Sequence, residues 1–492
     1  MDRGRSMISL GELCQGILEI PSPWASLSIA DIVADSRKVS PGALFVAIRG
    51  FQKDGLEFAR EAVRAGAVAI VAERDPGDLG APVFLTKNPR KTLALLSHRF
   101  FGAPTETMMM IGITGTNGKT TVSYVIESIL KTAGFNTGLV GTLCYRWDSK
   151  EKDAQRTTPE SVDLHRLFKE MADAGVCAIV MEVSSHALAL ERVTGIRFQA
   201  GVFTNLTRDH LDFHGDIETY GATKAKLFSM LKPQGVGVVN ADDPWAFLFQ
   251  VPPDARRVTY GGKNGQADYR ITSVSMEGGL THIELFHKNQ KYQFLTPLWG
   301  EFNISNVIAA AVTCIELGID LESIREGILN MKRVPGRMEV LSSQRGYRVV
   351  IDYAHTPDAL ANVLQAVRGL TQNQVWVVFG CGGERDQGKR PLMGEIASQL
   401  ADRVVLTSDN PRGENPKVIL EQILQGITDR NRVLVIEDRK EAIRFALDQA
   451  KPGDTILLAG KGHETYQEIA GQRIPFSERE IVERYFAEKG ES

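Results

Sequence analysis

A chain of 492 residues is long enough for about three domains of ordinary size, and its 43% hydrophobic and 24% charged content suits a soluble globular protein with several cores. A formal net charge of −3 carries no polyanion-binding signature, so nucleic acid is excluded as an expected partner and any phosphate must be held locally. Charges interrupt the N-terminal stretch MDRGRSMISLGELCQ, and no later apolar run could span a bilayer, so a cytoplasmic protein without membrane insertion is expected. The cysteines, Cys14, Cys144, Cys177, Cys314 and Cys381, are odd in number, scattered and without a CxxC. They read as reduced, packed thiols, neither a disulfide framework nor a zinc site.

Up to residue 107 the pattern is a small α/β unit: a strand Leu44 to Ala47, a helix Glu57 to Ala65 and a strand Val68 to Val71. Asp35-Ser36-Arg37 precedes a Pro41-Gly42 turn and reads, on its own, as a capped loop with a solvated cation. Next comes the apolar run from Met108, a loop with Gly112, Gly115 and Gly118, and then Lys119, Thr120 and Thr121. Val122, Val125, Ile126, Ile129, Leu130 and Ala133 follow on one helical face. Strand, glycine loop and helix is the arrangement that converges backbone N–H groups on phosphate, with Lys119 reaching the outer phosphates and Thr120 holding Mg²⁺. The strict G-x-x-x-x-G-K-[ST] pattern is not met, because position 113 is isoleucine and Gly112 lies one residue too far away.

From 108 to 336 strands and helices alternate, as in a mostly parallel sheet with ligands at the carboxyl ends of its strands. Three polar clusters sit where strands end. Thr157-Thr158-Pro159 reads equally well as a helix cap. Glu182, after the strand Ala178 to Met181, could hold Mg²⁺ or be a salt-bridged edge residue. The string TNLTRDHLDFHG, 204 to 215, is either an exposed polar loop or a costly buried cluster. Lys224 reads as a helix lysine with its stem on apolar surface and its head in water. Asn303 and Asn306, three apart, share a helical face, with a capping role open for Asn303.

Arg333-Val334-Pro335-Gly336-Arg337 marks a hinge, after which 337 to 492 reads as a fresh set of αβ units. A strand Arg348 to Ile351 ends in Asp352. Thr356 caps a helix with Pro357 in its first turn and Leu360, Val363, Leu364 and Val367 on the buried side. Loops after Phe379, Thr407 and Ala459 should meet on one edge of that sheet.

These strings carry a resemblance to the Mur ligases, ATP-dependent enzymes that add amino acids to the muramoyl peptide of cell-wall precursors. GITGTNGKTT at 112 to 121 resembles their nucleotide loop, which folylpolyglutamate synthetase shares. Asp35, Ser36, Arg37, Pro41, Gly42, Leu44, Phe45, Ala47, Gly50, Asp54 and Gly55 match the family's N-terminal stretch, which that synthetase lacks. TNLTRDHLDFHG, the Gly300-Glu301-Phe302-Asn303 to Ala310 stretch and DYAHTP at 352 to 357 match further family motifs.

The resemblance implies an α/β protein of three domains. They are a small N-terminal α/β domain for UDP, 1–107; a central ATP-binding P-loop domain, 108–336; and a Rossmann-like amino-acid domain, 337–492. It implies ATP contacts from Gly115, Thr116, Asn117, Gly118, Lys119, Thr120, Thr121, Asn303, Asn306, Arg337 and Asp352. UDP-muramoyl-dipeptide contacts would come from Ser36, Thr157, Thr158, Ser184 and Arg192. Catalysis is expected from Lys119, Glu182, His210 and Lys224, with Mg²⁺ on Thr120, Glu182, His210 and a Lys224 carbamylated by CO₂.

Within the family, Asp409-Asn410-Pro411-Arg412 resembles members that add meso-diaminopimelate to UDP-N-acetylmuramoyl-L-Ala-D-Glu through an acyl phosphate. The implied amino-acid pocket is Arg385, Asp409, Asn410, Arg412, Gly460 and Glu464, with Glu464 on the distal ammonium. A guanidinium can bind the second carboxylate of diaminopimelate bidentately and would oppose the lone ammonium of lysine. A monomer is expected. A ligase for lysine, a ligase for the next, dipeptide-adding step, and a non-catalytic nucleotide switch are the alternatives.

Overall fold

In the computed structural model, which describes residues 7–50, 53–331 and 333–491, the alternating strands and helices gather into three principal sheets. The first is four-stranded and parallel, in the order Asp31–Val33, Ala43–Val46, Ala67–Ala72, Val83–Leu85. The helix expected at 57 to 65 is split: the Asp54 side chain accepts from Leu56 N–H at 3.0 Å and starts a 3₁₀ turn, Gly55–Phe58. The α-helix proper is therefore only Ala59–Arg64.

The second sheet has eleven strands and holds the phosphate loop near its middle, on Met109–Thr114 between Ala178–Glu182 and Phe198–Phe203. Its interior is parallel, and both ends turn antiparallel. The meander Tyr269–Glu277, Leu280–His287, Gln290–Thr296 reverses at Gly278-Gly279 and at Lys288-Asn289, four residues with positive φ. Left-handed pairs of this kind match the twist of a tight hairpin.

On one face of this sheet the helices Lys119–Thr132, Glu301–Glu316 and Leu321–Leu329 pack closely because small residues stand at their crossings. Ala309, Ala310 and Ala311 are fully buried, and a Cβ on Gly327 would lie 2.5 Å from Ile129 Cα.

The third sheet runs Glu339–Ser342, Arg348–Asp352, Thr455–Ala459, Val375–Phe379, Arg403–Leu406, Val433–Val435, parallel except for its first strand. Thr356 caps Pro357–Leu370 as expected, and Leu360, Val363, Leu364 and Val367 are buried. The cysteines are free, with Cys177 exposed and the other four buried. No helix among the described residues is long and apolar enough to cross a membrane.

The first sheet is seated on the second through the helices Pro89–Phe100 and Ser161–Asp173. At this seam the rings of His98 and His165 lie 5.2 Å apart, and neither nitrogen of the fully buried His165 has a hydrogen-bond partner. Burial lowers the His165 pKa from 6.5 to about 3. A base with a depressed folded-state pKa stabilises the fold above its unfolded value, and that stability drains away as pH falls from about 6.5 toward 3. His165→Leu is expected to flatten the loss of unfolding free energy between pH 7 and pH 4 measured in urea. An unchanged slope would remove His165 as its source.

Candidate active site

The backbone of the phosphate loop explains its glycines. Gly115 and Gly118 have φ of +145° and +86°, and a Cβ on them would fall 1.9 Å from Thr204 Oγ1 and 2.2 Å from Asn306 Oδ1. Helix Lys119–Thr132 starts on Gly118 with no side-chain cap, which leaves its first N–H groups for an anion. Lys119 Nζ folds back to donate to the Gly115 and Thr116 carbonyls, each at 2.9 Å, and burial pushes its pKa below the ordinary value. Thr116 donates to Thr207 O, and Asn117 donates twice, from its N–H to Asn205 Oδ1 at 2.9 Å and from its side-chain amide to Asp358 at 3.3 Å. Thr121 is buried in the first turn of the helix.

Glu182 ties this loop to the second cluster. Its Oε1 accepts from the Thr120 hydroxyl at 3.0 Å and from Thr142 N–H at 2.9 Å, and its Oε2 from the Thr142 hydroxyl at 3.0 Å. At 1% exposure it is no salt-bridged edge residue. Thr157 meets Thr142 hydroxyl to hydroxyl at 3.0 Å. Thr158 donates to Glu182 O and accepts from Ser184 N–H, while Arg192 reaches Thr158 O at 3.1 Å and Glu160 at 2.8 Å. The helix-cap alternative for this cluster fails, because Ser161–Asp173 is capped at Glu160 without a side-chain bond. Thr142 was not singled out in sequence, and its one signal is a hydroxyl just past the strand Thr137–Val140.

The third cluster is mixed: Thr204, Asp209 and His214 are buried while Arg208 and Asp212 are exposed, so neither alternative holds along its whole length. Asp209 is 6% exposed, with His210 Nε2 at 3.4 Å and His355 Nε2, from the third sheet's side, at 3.8 Å from Oδ2. Burial pushes its carboxyl up, but the His355 hydrogen bond and the His210, His355 and Lys389 charges more than offset this and hold it below the usual range. Burial lowers the His210 pKa to about 3, with the Asp209 carboxylate acting in the opposite direction.

Lys224 departs from its expected solvated head. It is 1% exposed, its Nζ donates to Gly115 O at 2.8 Å, and burial together with Lys119 pushes its pKa well below the ordinary value.

Thr120 and Glu182 offer a hydroxyl and a carboxylate beside the phosphate loop. Mg²⁺ takes one or two such protein oxygens and fills its remaining positions with phosphate and water, so this pair fits it. Among the described residues no three His, Cys, Asp or Glu side chains gather as an all-protein metal site would require.

Asn306 abuts Gly118, and Asn303 does not cap its helix but donates from Nδ2 to Trp299 O at 3.0 Å. Arg337 lies 3.4 Å from Thr120 Oγ1 and stacks on Tyr353. Asp352 is buried, and each of its oxygens accepts one backbone N–H at 2.8 Å, from Met338 and from Ala354.

The three C-terminal loops meet as expected. A Cβ on Gly380 would lie 2.0 Å from Thr407 O, and one on Gly460 2.7 Å from Asp409 Oδ2. Arg412, at φ +53°, donates to Gly383 O at 2.7 Å and faces Glu468 at 3.4 Å, so it is not a free surface cation. Arg385 is exposed, and Gly382 lies between it and Arg412. Glu464 Oε2 accepts from Asn410 Nδ2 and from Lys461 Nζ, each at 2.8 Å.

Ser36 is half-buried in the turn Ser36–Lys38, where the Asp35 carboxylate accepts from Arg37 N–H at 3.1 Å, as a capped loop would. This turn borders a cavity of about 970 Å³ whose walls include Arg37, Arg90, Arg156, Glu160 and Arg166. The cavity lies between the first two sheets and runs toward Pro159, next to Thr158.

Three family profiles match the chain: "Mur ligase family, catalytic domain" over 28–94, "Mur ligase middle domain" over 113–314 and "Mur ligase, glutamate ligase domain" over 336–462. The chain belongs to the Mur ligase family. It is 44% identical over 466 residues to the UDP-N-acetylmuramoyl-L-alanyl-D-glutamate--2,6-diaminopimelate ligase of Bacillus licheniformis, covering 94% of this chain and 95% of that one. The enzyme of the same name from Geobacillus kaustophilus is 44% identical over 471 residues, with 94% and 96% covered. A solved structure of a ligase with that name superimposes with a TM-score of 0.71 at 34% identity, over 99% of this chain and 100% of the other. A MurF ligase from Thermotoga maritima in complex with ADP shares the fold, with a TM-score of 0.64 at 21% identity over 93% and 97% of the two chains.

Gly118→Ala forces a methyl into Asn306 at a left-handed φ and is expected to weaken ATP binding by about 10- to 100-fold. Calorimetric titration checks this, and wild-type affinity would contradict the loop geometry.

Proposed function

We infer that the chain is an ATP-dependent ligase that adds meso-diaminopimelate to UDP-N-acetylmuramoyl-L-alanyl-D-glutamate through an acyl phosphate, in peptidoglycan precursor synthesis. The observation that carries this reading is the Glu182 knot, which joins the phosphate loop at Thr120 to Thr142, Thr157 and Thr158. In the proposed scheme the carboxylate substrate and the nucleotide meet at this knot. The proposed division of labour is UDP in 1–107, ATP in 108–336 and the amino acid in 337–492.

In the first step an oxygen of the D-glutamate γ-carboxylate forms a bond to the γ-phosphorus as the bond to the ADP oxygen breaks. In the second, the amine nitrogen bonds to the acyl carbon, phosphate leaves, and the nitrogen gives up a proton. Lys119 and the N–H groups of the loop are assigned to the charge that builds on the transferred phosphoryl group. Thr120 and Glu182 would hold Mg²⁺ there, which offsets phosphate charge, with His210 assigned to a second ion. Ser184 and Arg192, both bonded to Thr158, are assigned to the muramoyl dipeptide, and Ser36 to its UDP. Arg337, Asp352, Asn303 and Asn306 are assigned to the nucleoside end of ATP.

Lys224 is a buried amine kept below its ordinary pKa, the neutral form that adds to CO₂. Its nitrogen bonds to the CO₂ carbon and loses a proton, turning the neutral amine into an anion beside the Gly115 carbonyl. Arg385, Asp409, Asn410, Arg412, Gly460 and Glu464 are assigned to diaminopimelate.

Phosphate release by the purified protein, given UDP-dipeptide, ATP, Mg²⁺ and each amine in turn, is expected to favour diaminopimelate over lysine on the order of 10³-fold. Equal release with both would remove Arg412 from its role. Bicarbonate depletion should lower the activity and abolish a carbamate signal from ¹³C-labelled bicarbonate. Full activity in Lys224→Arg would end the carbamate assignment.

A further inference from the structure

Lys461 is fully buried beside the amino-acid loops, in the turn after Thr455–Ala459, and the reaction scheme gives it no part. Its Nζ lies 2.9 Å from Asn410 Oδ1 and 2.8 Å from Glu464 Oε2. An ammonium can only donate, so the Asn410 oxygen must face Lys461 and its amide nitrogen must face Glu464, where it donates at 2.8 Å. The same Asn410 oxygen accepts Glu468 N–H at 2.9 Å, which fixes the amide a second time. Lys461 therefore sets the orientation of Asn410 and places a positive charge directly against Glu464. The charge extends further: burial pushes the Asp409 carboxyl up, and Lys461 with Arg439 more than offsets this.

Charge balance gives this triangle a consequence for the substrate. The distal end of diaminopimelate carries an ammonium and a carboxylate and is neutral, whereas that of lysine is a lone cation. A free Glu464 would attract either ammonium. A Glu464 already paired with a buried lysine attracts a lone cation weakly, because Lys461 repels it, and leaves the distal carboxylate to decide.

Given the diaminopimelate reading above, we propose that Lys461 is a positioning residue for amine selection, which neutralises Glu464 and locks Asn410 so that the pocket reads the distal carboxylate and rejects a lone ammonium. Arg412, held at Gly383 and facing Glu468, then supplies attraction, and Lys461 supplies the repulsive element.

Two measurements test this. In the wild-type enzyme, 2-aminopimelate, which keeps the distal carboxylate and lacks the distal ammonium, should be used with a kcat/KM about tenfold or more above that of lysine. Use no better than that of lysine would overturn the proposal, and this arm needs no variant to fold. In Lys461→Met, the kcat/KM ratio of diaminopimelate to lysine should fall by about tenfold or more, with KM for ATP and for the UDP-dipeptide unchanged. Lys461→Arg, which keeps the charge, should restore most of the ratio. A Lys461→Met enzyme that keeps the wild-type ratio, or that loses affinity for all three substrates together, would overturn the role. A wild-type enzyme that takes lysine as readily as diaminopimelate would instead defeat the underlying reading.

Discussion

The structure depends on a single buried anion. Taking a carboxylate out of water is expensive unless its oxygens are met by donors, and Glu182 is met by two hydroxyls and a backbone N–H from the phosphate loop and from the end of a neighbouring strand. Its main-chain oxygen takes the Thr158 hydroxyl, which in turn receives Ser184 N–H. Moving any of these groups would strip a partner from a charge that water cannot reach. The phosphate loop and the threonine cluster are therefore positioned together. Gly141 belongs to the same constraint, since a Cβ there would lie 2.5 Å from Glu182 Oε1.

A second set of contacts brings the C-terminal sheet to the same loop. Arg337 reaches Thr120, Asp358 accepts from Asn117, His355 approaches Asp209, and Arg208 pairs with Asp386 at 3.0 Å. The chain crosses between the sheets at Gly336, whose φ of +63° and whose contact with His463 N–H, 2.1 Å from a Cβ, admit only glycine. Asp352 clamps the segment just after this crossing by accepting Met338 N–H. Residues assigned to the muramoyl substrate thus come from the first and second sheets, those assigned to the nucleotide from the second and third, and those assigned to the amine from the third, with Arg337 and Asp358 carrying the third sheet's side to the phosphate-binding turn.

Much of this was legible in the chain. The strand, glycine loop and helix around Lys119 announce themselves through residue types that a phosphate cradle requires, and the strand-end polar clusters follow from sheet topology. Burial was not legible. Lys224 looks like any helix lysine, because nothing in its local sequence says that Gly115 and Tyr220 will cover its head. Thr142 and Lys461 escaped for a related reason: each meets a partner 40 or 51 positions away, Glu182 or Asn410, and although Lys461 also pairs with Glu464 three residues on, no local pattern encodes the distant meeting. The split helix at 55 to 64 was missed because one carboxylate, Asp54, captures the first turn.

The central claim is that the loop at 115 to 121 is the meeting point of nucleotide and carboxylate substrate. The most direct test is a crystal structure with a non-hydrolysable ATP analogue and UDP-N-acetylmuramoyl-L-alanyl-D-glutamate bound together. The account predicts β- and γ-phosphates on the N–H groups of Gly118 to Thr121, with the D-glutamate carboxylate next to them on the side of Thr158 and Ser184. A nucleotide bound away from Glu182, or a dipeptide whose carboxylate points away from the phosphate loop, would contradict it.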